Sequence, residues 1–313
     1  MNDLEYSIII PVRNEKGNLI KLNNEINQVF EKISKKYETI YVDDGSSDGS
    51  LDELKNLKNI TIIELNKNYG QATALDAGFK MAQGKIIISI DGDGQNDPKD
   101  IPKLLEKMKK EKLDVVCGWR KQRESKNGIK ILTKIGRSMR KLLIRDNVHD
   151  TGCTLRAYTR TAVRSLDLQG EMHRYILASL SWKGFKIGEV VVNDRKREHG
   201  VSKYNYSKAT RGFIDLINVW FLQKYSQRPS HWFGMIGLFS FFVGIGITIW
   251  AVLRKILVNA DLSNNGWFVI GFFLTFFSVI LFFFGMLFDM LIRIKFDVSK
   301  FEKRYYIKKV IKR

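Results

Sequence analysis

Ile86-Ile87-Ile88-Ser89-Ile90-Asp91-Gly92-Asp93-Gly94-Gln95-Asn96-Asp97-Pro98 runs a β-branched apolar segment directly into a carboxylate-rich loop. A run that apolar suits a strand covered on both faces, and Asp97-Pro98 reads as an N-cap with proline in the first helical position. Asp91, Asp93 and Gln95 place three oxygen-bearing side chains on alternate residues, a donor set that suits a hard divalent cation able to take diphosphate oxygens as well. An EF-hand is excluded: counted from Asp91, the sixth position is Asn96 rather than glycine and the twelfth is Pro102 rather than glutamate. An ordinary Asp-Gly turn explains such pairs in general, but not their place at the end of an apolar strand.

Similar apolar runs lie outward from this stretch, over residues 6–12, 39–42, 60–65 and 114–117, and helix-period segments separate them over 19–33, 51–57, 71–82 and 101–110. Strands and helices in alternation predict an α/β fold with a mainly parallel sheet. Ser50 followed by Glu53 fits a capping box at the second helix. Ligands of such sheets bind beyond the carboxyl ends of the strands. The loops there carry Pro11-Val12-Arg13-Asn14-Glu15, Asp43-Asp44-Gly45-Ser46-Ser47-Asp48-Gly49 and Asp91 to Asp97. Carboxylates converging from three loops repel one another unless a cation and a nucleotide's donor groups intervene.

The last third of the chain has a different composition. No charged residue occurs from 232 to 253 or from 266 to 288. At ~1.5 Å per residue each run reaches about 33 Å, enough for the ~30 Å hydrocarbon layer, so both read as transmembrane helices. After the second run come Arg293, Lys295, Lys300, Lys303, Arg304, Lys308, Lys309, Lys312 and Arg313 against Asp297 and Glu302, whereas the connecting loop holds only Arg254, Lys255 and Asp261. The positive-inside rule then places both termini in the cytoplasm. Met1-Asn2-Asp3-Leu4-Glu5 is polar and acidic, so no cleavable signal peptide is expected. The expected organisation is a catalytic domain over 1–205, a juxtamembrane amphipathic helix over 206–230, a two-helix membrane region over 231–292 and a basic cytoplasmic tail over 293–313.

A formal net charge of +19 over 313 residues suits nucleic acid, anionic lipid or a phosphorylated substrate. Two spans favour anionic membrane lipid over nucleic acid. Residues 119–145 place Arg120, Arg123, Lys130, Lys134, Arg137, Arg140 and Lys141 around an apolar set of Ile131, Ile135, Met139 and Leu142, the pattern of a helix lying in a membrane interface. Residues 206–228, with Phe213, Leu216, Ile217, Trp220 and Phe221, give a second such segment. Cys117 and Cys153 are too few and too far apart for a cysteine metal site, and no disulfide is expected. His149 and His231 are read as structural, Asp289 as an interfacial partner of Arg293 at i,i+4, and Gly234, Gly237, Gly244 and Gly246 as sites of close helix packing or homo-oligomerisation.

Several stretches in order now carry a resemblance: Ser7-Ile8-Ile9-Ile10-Pro11-Val12-Arg13-Asn14-Glu15, Val42-Asp43-Asp44-Gly45-Ser46-Ser47-Asp48, Asn68-Tyr69-Gly70-Gln71, Asp91-Gly92-Asp93-Gly94-Gln95, Asp150-Thr151-Gly152-Cys153-Thr154-Leu155-Arg156-Ala157-Tyr158 and Arg197-Glu198-His199-Gly200-Val201-Ser202-Lys203-Tyr204. Together with the two apolar runs, they resemble family 2 glycosyltransferases of the polyprenyl-phosphate branch. The resemblance implies a GT-A-type fold, Mg2+ or Mn2+ as cofactor, and inverting transfer of one sugar from a UDP- or GDP-sugar donor to a polyprenyl phosphate acceptor. By motif it assigns Pro11, Glu15, Asp43, Asp44, Gln71 and Asp91 to the nucleotide and Asp93 and Gln95 to the metal. Asp91, Asp93, Asp150 and Arg197 are the expected catalytic group, and Arg120, Arg137, Arg156 and Lys203 the expected acceptor-phosphate group. A phosphate acceptor has a second pKa near 6, is largely dianionic at neutral pH, and needs little help from a base. Asp150 is therefore either a base or an orienter of the Arg156 loop. Transfer to a neutral lipid such as diacylglycerol would demand a true base, and a noncatalytic nucleotide-sugar or lipid-binding protein would have no need of Asp91, Asp93 and Gln95 together.

Overall fold

The computed structural model describes residues 4–33, 36–121, 148–168, 170, 172–195, 229–258, 266–298 and 307–312. They form two compact units, an α/β domain that includes the C-terminal strand and a helical hairpin.

The first half of the α/β domain follows the apolar periodicity. Strands β1 (Tyr6–Val12), β2 (Tyr37–Asp43), β3 (Ile60–Leu65) and β4 (Ile86–Ser89) alternate with α1 (Leu19–Ile33), α2 (Ser50–Lys55) and α3 (Gln71–Met81). A 3-10 turn (Pro98–Asp100), α4 (Ile101–Glu111) and β5 (Val115–Trp119) follow. Strand β6 (Arg156–Thr159), α5 (Arg160–Arg164), a second 3-10 turn (Met172–Tyr175), α6 (Ile176–Trp182) and β7 (Ile187–Val191) come next. The last strand, β8, is Ile307–Lys312. All eight strands join one sheet in the order β7-β5-β6-β4-β1-β2-β3-β8. Strands β1 to β4 are mutually parallel, β6 is antiparallel to both β4 and β5, and β7 is parallel to β5.

Alternation along β1 shows how the sheet is covered. Ile8, Ile10 and Val12 face a core shared with Leu22 and Ile26 of α1, Leu54 of α2 and Leu104 of α4. Ile9 faces the opposite core, with Leu75 and Phe79 of α3, Ala162 of α5 and Leu177 of α6. A strand buried on both faces is dominated by apolar residues, as 6–12 and 86–90 are, and the serines within them, Ser7 and Ser89, are buried with hydrogen-bond partners.

Two sequence expectations are corrected here. Ser50 and Glu53 do not form a capping box. Gly49, with φ 90°, is the N-cap of α2 and makes no side-chain cap. Glu53 instead reaches across to accept hydrogen bonds from the backbone N–H groups of Gly17 (2.6 Å), Leu19 (3.2 Å) and Ile20 (3.1 Å), supplying the start of α1 with an acceptor and a negative charge. The basic tail over 293–313 is not a separate element either, since Ile307–Lys312 pairs antiparallel with β3 and closes that edge of the sheet. Its lysines hid this from the sequence pattern, yet lysine is common on edge strands because it discourages further pairing. The two proposed interfacial helices, apart from Trp119 to Lys121, lie outside the described residues, as do the side chain of Arg293 and the loop between the apolar helices.

In the second unit, α7 (Pro229–Val258) and α8 (Gly266–Val298) pack along one another. Within them, Ser230–Leu257 and Gly266–Leu291 are long and apolar enough to cross a membrane. They approach closely at glycine: a Cβ on Gly244 would lie 2.7 Å from Thr275 N and 2.8 Å from Gly271 O. Gly237 also faces α8, with Ser278 O at 3.1 Å, whereas Gly234 and Gly246 border open space. Gly244→Leu should therefore destabilise the hairpin by about 2 kcal/mol, the usual cost of overpacking, while Gly246→Leu is neutral. Denaturant unfolding in detergent checks this, and equal effects of the two changes would refute the packing.

Candidate active site

The site is assembled from three loops at the carboxyl ends of the parallel strands. The loops after β1 and β2 are interlocked through short side chains. Asn14 N donates to Ser46 Oγ (3.0 Å) and Ser47 N to Asn14 Oδ1 (2.9 Å). Glu15 N donates to Ser50 Oγ (2.9 Å) and Lys16 N to Asp48 Oδ2 (3.1 Å). Each bond satisfies a backbone group that would otherwise require water, so this half of the site is preformed. Pro11 and Glu15, the expected nucleoside contacts, lie at its partly exposed lip.

Asp44 is buried, and both its oxygens accept backbone N–H groups at the start of α3, from Tyr69 (2.7 Å) and Gly70 (2.9 Å). It therefore fixes the loop after β3 against the loop after β2. Gly45 is required where these loops touch: it has φ 68°, and a Cβ there would lie 2.9 Å from Asn68 N. Asp43, also buried, accepts from Ser46 N (3.3 Å). Burial pushes the Asp43 carboxyl up, Ser46 pulls it down, and Glu64 and Asp48 add to the rise. Burial likewise raises Asp44, against the pull of the Tyr69 and Gly70 N–H groups.

The loop after β4 supplies the expected metal ligands. Asp93 Oδ1 accepts from Gln95 N (3.1 Å) around Gly94, whose φ of 73° belongs to the left-handed region. Asp91 Oδ1 accepts from Gln71 Nε2 (2.8 Å), so the structure unites two residues 20 apart in sequence. Burial, and next the Asp93 carboxylate, push the Asp91 carboxyl up to about 7, while the Thr154 hydroxyl, Arg156 and Arg120 pull the other way. Two adjacent carboxyls that resist joint ionisation fit a cation site, and every donor is an oxygen. Among the described residues no three His, Cys, Asp or Glu side chains gather around one point, so the chain's own donor set is short. A hard cation there would complete its shell with substrate phosphate and water, the usual habit of Mg2+ in phosphate sites.

A buried polar layer, largely invisible to motif reading, supports this loop. Ser89 Oγ donates to Thr154 O (2.7 Å), and Thr154 Oγ1 to Asn96 Oδ1 (2.8 Å). The chain after β7 clamps the loop's far end: Arg195 N donates to Gln95 O (2.9 Å), and its guanidinium meets Glu25 (2.7 Å) and Asp97 (2.6 Å). Asp97 also accepts from Lys99 N (3.0 Å) as the expected N-cap. Arg195 was missed because its partners come from α1 and the metal loop, 170 and 98 residues away in the chain.

The expected acceptor group divides. Arg156 is 3% exposed and donates to Cys153 O (2.7 Å) and Thr151 O (2.6 Å), contacts that hold the loop before β6. Arg120 is paired with Asp150 (2.8 Å) and lies 3.8 Å from Asp194, nearly neutralised where it stands. Asp150 also accepts from Gly152 N (3.0 Å), so the geometry favours its orienting role over that of a base. Arg137, Arg197 and Lys203 lie outside the described residues. His149 fulfils its structural reading, stacked on Trp119 (4.4 Å between ring centres) with Nδ1 2.7 Å from Glu189. Cys117 and Cys153 are buried free thiols.

A pH dependence follows from Asp91. Its native value is about 7 against 3.8 unfolded, so between these the native protein holds a proton that the unfolded chain has released, and metal-free stability falls as pH rises through that window. Asp91→Asn should raise the melting temperature in chelator more at about pH 8 than at about pH 5. An equal effect at both, measured by thermal unfolding, would contradict the buried-pair electrostatics.

A family model described as glycosyl transferase family 2 matches residues 7–167. Dodecaprenyl-phosphate galacturonate synthase of Rhizobium johnstonii is 34% identical over 304 residues, covering 94% of this chain and 89% of that protein. Undecaprenyl-phosphate 4-deoxy-4-formamido-L-arabinose transferase of Aeromonas hydrophila is 31% identical over 319 residues, covering 98% of this chain and 94% of that protein. Among solved structures, glucosyl-3-phosphoglycerate synthase of Mycobacterium tuberculosis, in complex with Mn2+, UDP and glucosyl-3-phosphoglycerate, has a TM-score of 0.55 at 15% identity over 70% of this chain and 80% of that one, a likeness of GT-A-type fold. The chain belongs to glycosyl transferase family 2, in the polyprenyl-phosphate branch.

Proposed function

We propose that this glycosyltransferase moves one sugar, with inversion, from a UDP- or GDP-sugar to a polyprenyl phosphate at the cytoplasmic membrane face. The observation that carries the reading is the Asp91-Asp93-Gln95 turn, half-buried with Asp93 at its buried centre, at the carboxyl edge of the parallel strands, beside the interlocked Asn14 and Asp43–Gly49 loops. The two named relatives differ in sugar and share a polyprenyl-phosphate acceptor, so the acceptor class is the part that carries over.

In this reading the nucleoside lies against the lip formed by Pro11 and Glu15, with the buried Asp44 behind it. Asp91, hydrogen-bonded to Gln71, orients the donor beside the diphosphate, and Asp93 and Gln95 hold Mg2+ or Mn2+. When bound, that cation supplies positive charge to the departing diphosphate. Arg197 and Lys203 add cationic charge as the bond to the sugar breaks. The acceptor phosphate arrives as a dianion, so attack at the anomeric carbon depends on positioning rather than on proton removal. Asp150, already paired with Arg120, then serves to orient the 150–156 loop.

Membrane placement has its own support. Strands β3 and β8 pair within one sheet and therefore share one side of any membrane, so the chain between Leu65 and Ile307 crosses an even number of times. Two crossings by α7 and α8 satisfy this, with the basic residues after α8 on the cytoplasmic side.

The test is an organic-phase transfer assay with undecaprenyl and dolichyl phosphate, radiolabelled UDP- and GDP-sugars, and Mn2+ or Mg2+ against chelator. Label should enter the lipid phase only with metal, and Asp93→Ala should lower the rate by about a thousandfold. Full activity of Asp93→Ala in chelator would refute the mechanism, and label appearing in a neutral lipid instead would refute the acceptor.

A further inference from the structure

The C-terminal strand does more than close the sheet edge. Along β3 and β8 the pairing runs Thr61 with Lys312, Ile62 with Ile311, Ile63 with Val310 and Glu64 with Lys309, and then steps to Leu65 with Ile307. Lys308 is thus the extra residue of a bulge opposite the end of β3. Bulges bend a strand and re-aim a side chain, often beside active sites. Here Lys308 Nζ turns onto Glu64 Oε1 at 2.6 Å. Glu64 in turn sits directly opposite Asp43 in the β2–β3 ladder, so the two side chains share one face of the sheet. Both carboxylates are largely buried, with Asp43 2% and Glu64 9% exposed. Asp43 is the first residue of the loop that carries Asp44, Gly45 and Ser46, and its carboxylate shapes that loop by accepting from Ser46 N.

Like charges opposite one another on neighbouring strands are unfavourable, and more so when burial denies them water. Among the described residues, Lys308 is the cation that touches this pair. The contact is local in space but joins positions 244 residues apart, with both apolar helices between them.

We propose that Lys308 is a positioning residue for the donor nucleotide: by neutralising Glu64 from the bulge in β8, it relieves repulsion on Asp43 and holds the Asp43–Ser46 loop in its nucleoside-binding form. The inference rests on the donor site proposed above, and it makes the last strand a working part of that site. Removing the cation should move the loop's equilibrium, and so weaken nucleotide binding, without changing the groups that act at the reacting bond. The effect belongs in the Michaelis constant for donor rather than in the turnover number.

The test uses the full chain in detergent or nanodiscs, with UDP and GDP as calorimetric probes in Mn2+ and with donor kinetics alongside. Lys308→Gln should raise the dissociation constant of whichever nucleotide binds, and the donor KM, by about threefold, with kcat within about twofold, a modest change because the lysine itself is exposed. Lys308→Glu should raise both further, and Lys308→Arg should match the wild type. Glu64→Gln placed on Lys308→Gln should restore binding, because it removes the charge that Lys308 balances. Unchanged nucleotide binding in Lys308→Gln and Lys308→Glu, or a loss confined to kcat and melting temperature with no restoration by Glu64→Gln, would overturn the inference while leaving the donor site standing. Failure of the wild-type protein to bind either nucleotide would overturn the donor site and the inference with it.

Discussion

Asp91 and Asp93 stand two residues apart on a turn that a mostly apolar strand delivers to the edge of the sheet. Their mutual repulsion in a water-poor setting is the constraint to which the surrounding architecture responds. The chain contributes only partial relief, through Gln71, the Thr154 hydroxyl and the more distant guanidinium groups of Arg156 and Arg120. Full neutralisation would take those arginines into the turn and leave no demand for a ligand. Instead Arg120 is tied to Asp150, and Arg156 is tied to the carbonyls of Thr151 and Cys153. The positive charge is held in the wall of the site, which in the proposed mechanism leaves the carboxylates available to an external cation and a diphosphate.

Rigidity around that turn has a clear origin. The Asn14–Lys16 and Asp43–Ser50 loops are joined by side-chain-to-backbone hydrogen bonds, Glu53 supports the first turn of α1, and Arg195 grips Gln95, Asp97 and Glu25 at once. Loops built this way hold a ligand geometry without large rearrangement, as the proposed transfer to a weakly basic phosphate nucleophile requires. At the far edge, β8 returns after the helical hairpin to pair with β3.

Much of this was legible in the sequence where a single rule dominates. Strands buried on both faces are dominated by apolar residues, so β1 to β5 and the loops that follow them could be read directly. Asp97-Pro98 acted locally and was read correctly. Ser50 and Glu53 were misread because the capping rule is local, whereas Glu53 satisfies a neighbouring helix. The loop-holding contacts of Arg156 were not legible either, because its place in a polar motif gives no sign that it is buried among the carbonyls of Thr151 and Cys153. Strand β6 has only four residues, and β8 is half lysine, so neither carries an apolar period strong enough to identify. Arg195 and Lys308 owe their positions to partners far away in the chain, which no local pattern encodes.

The central claim is that the carboxylate turn is an electrostatically incomplete site finished by cation and nucleoside diphosphate together. Calorimetric titration of UDP and of GDP into the full-length protein, once with Mn2+ and once in chelator, tests it most directly. The account predicts that one of the two nucleotides binds at least about tenfold more tightly with Mn2+, and that Asp93→Asn abolishes the difference. Equal affinity with and without metal, or metal dependence surviving in Asp93→Asn, would contradict it.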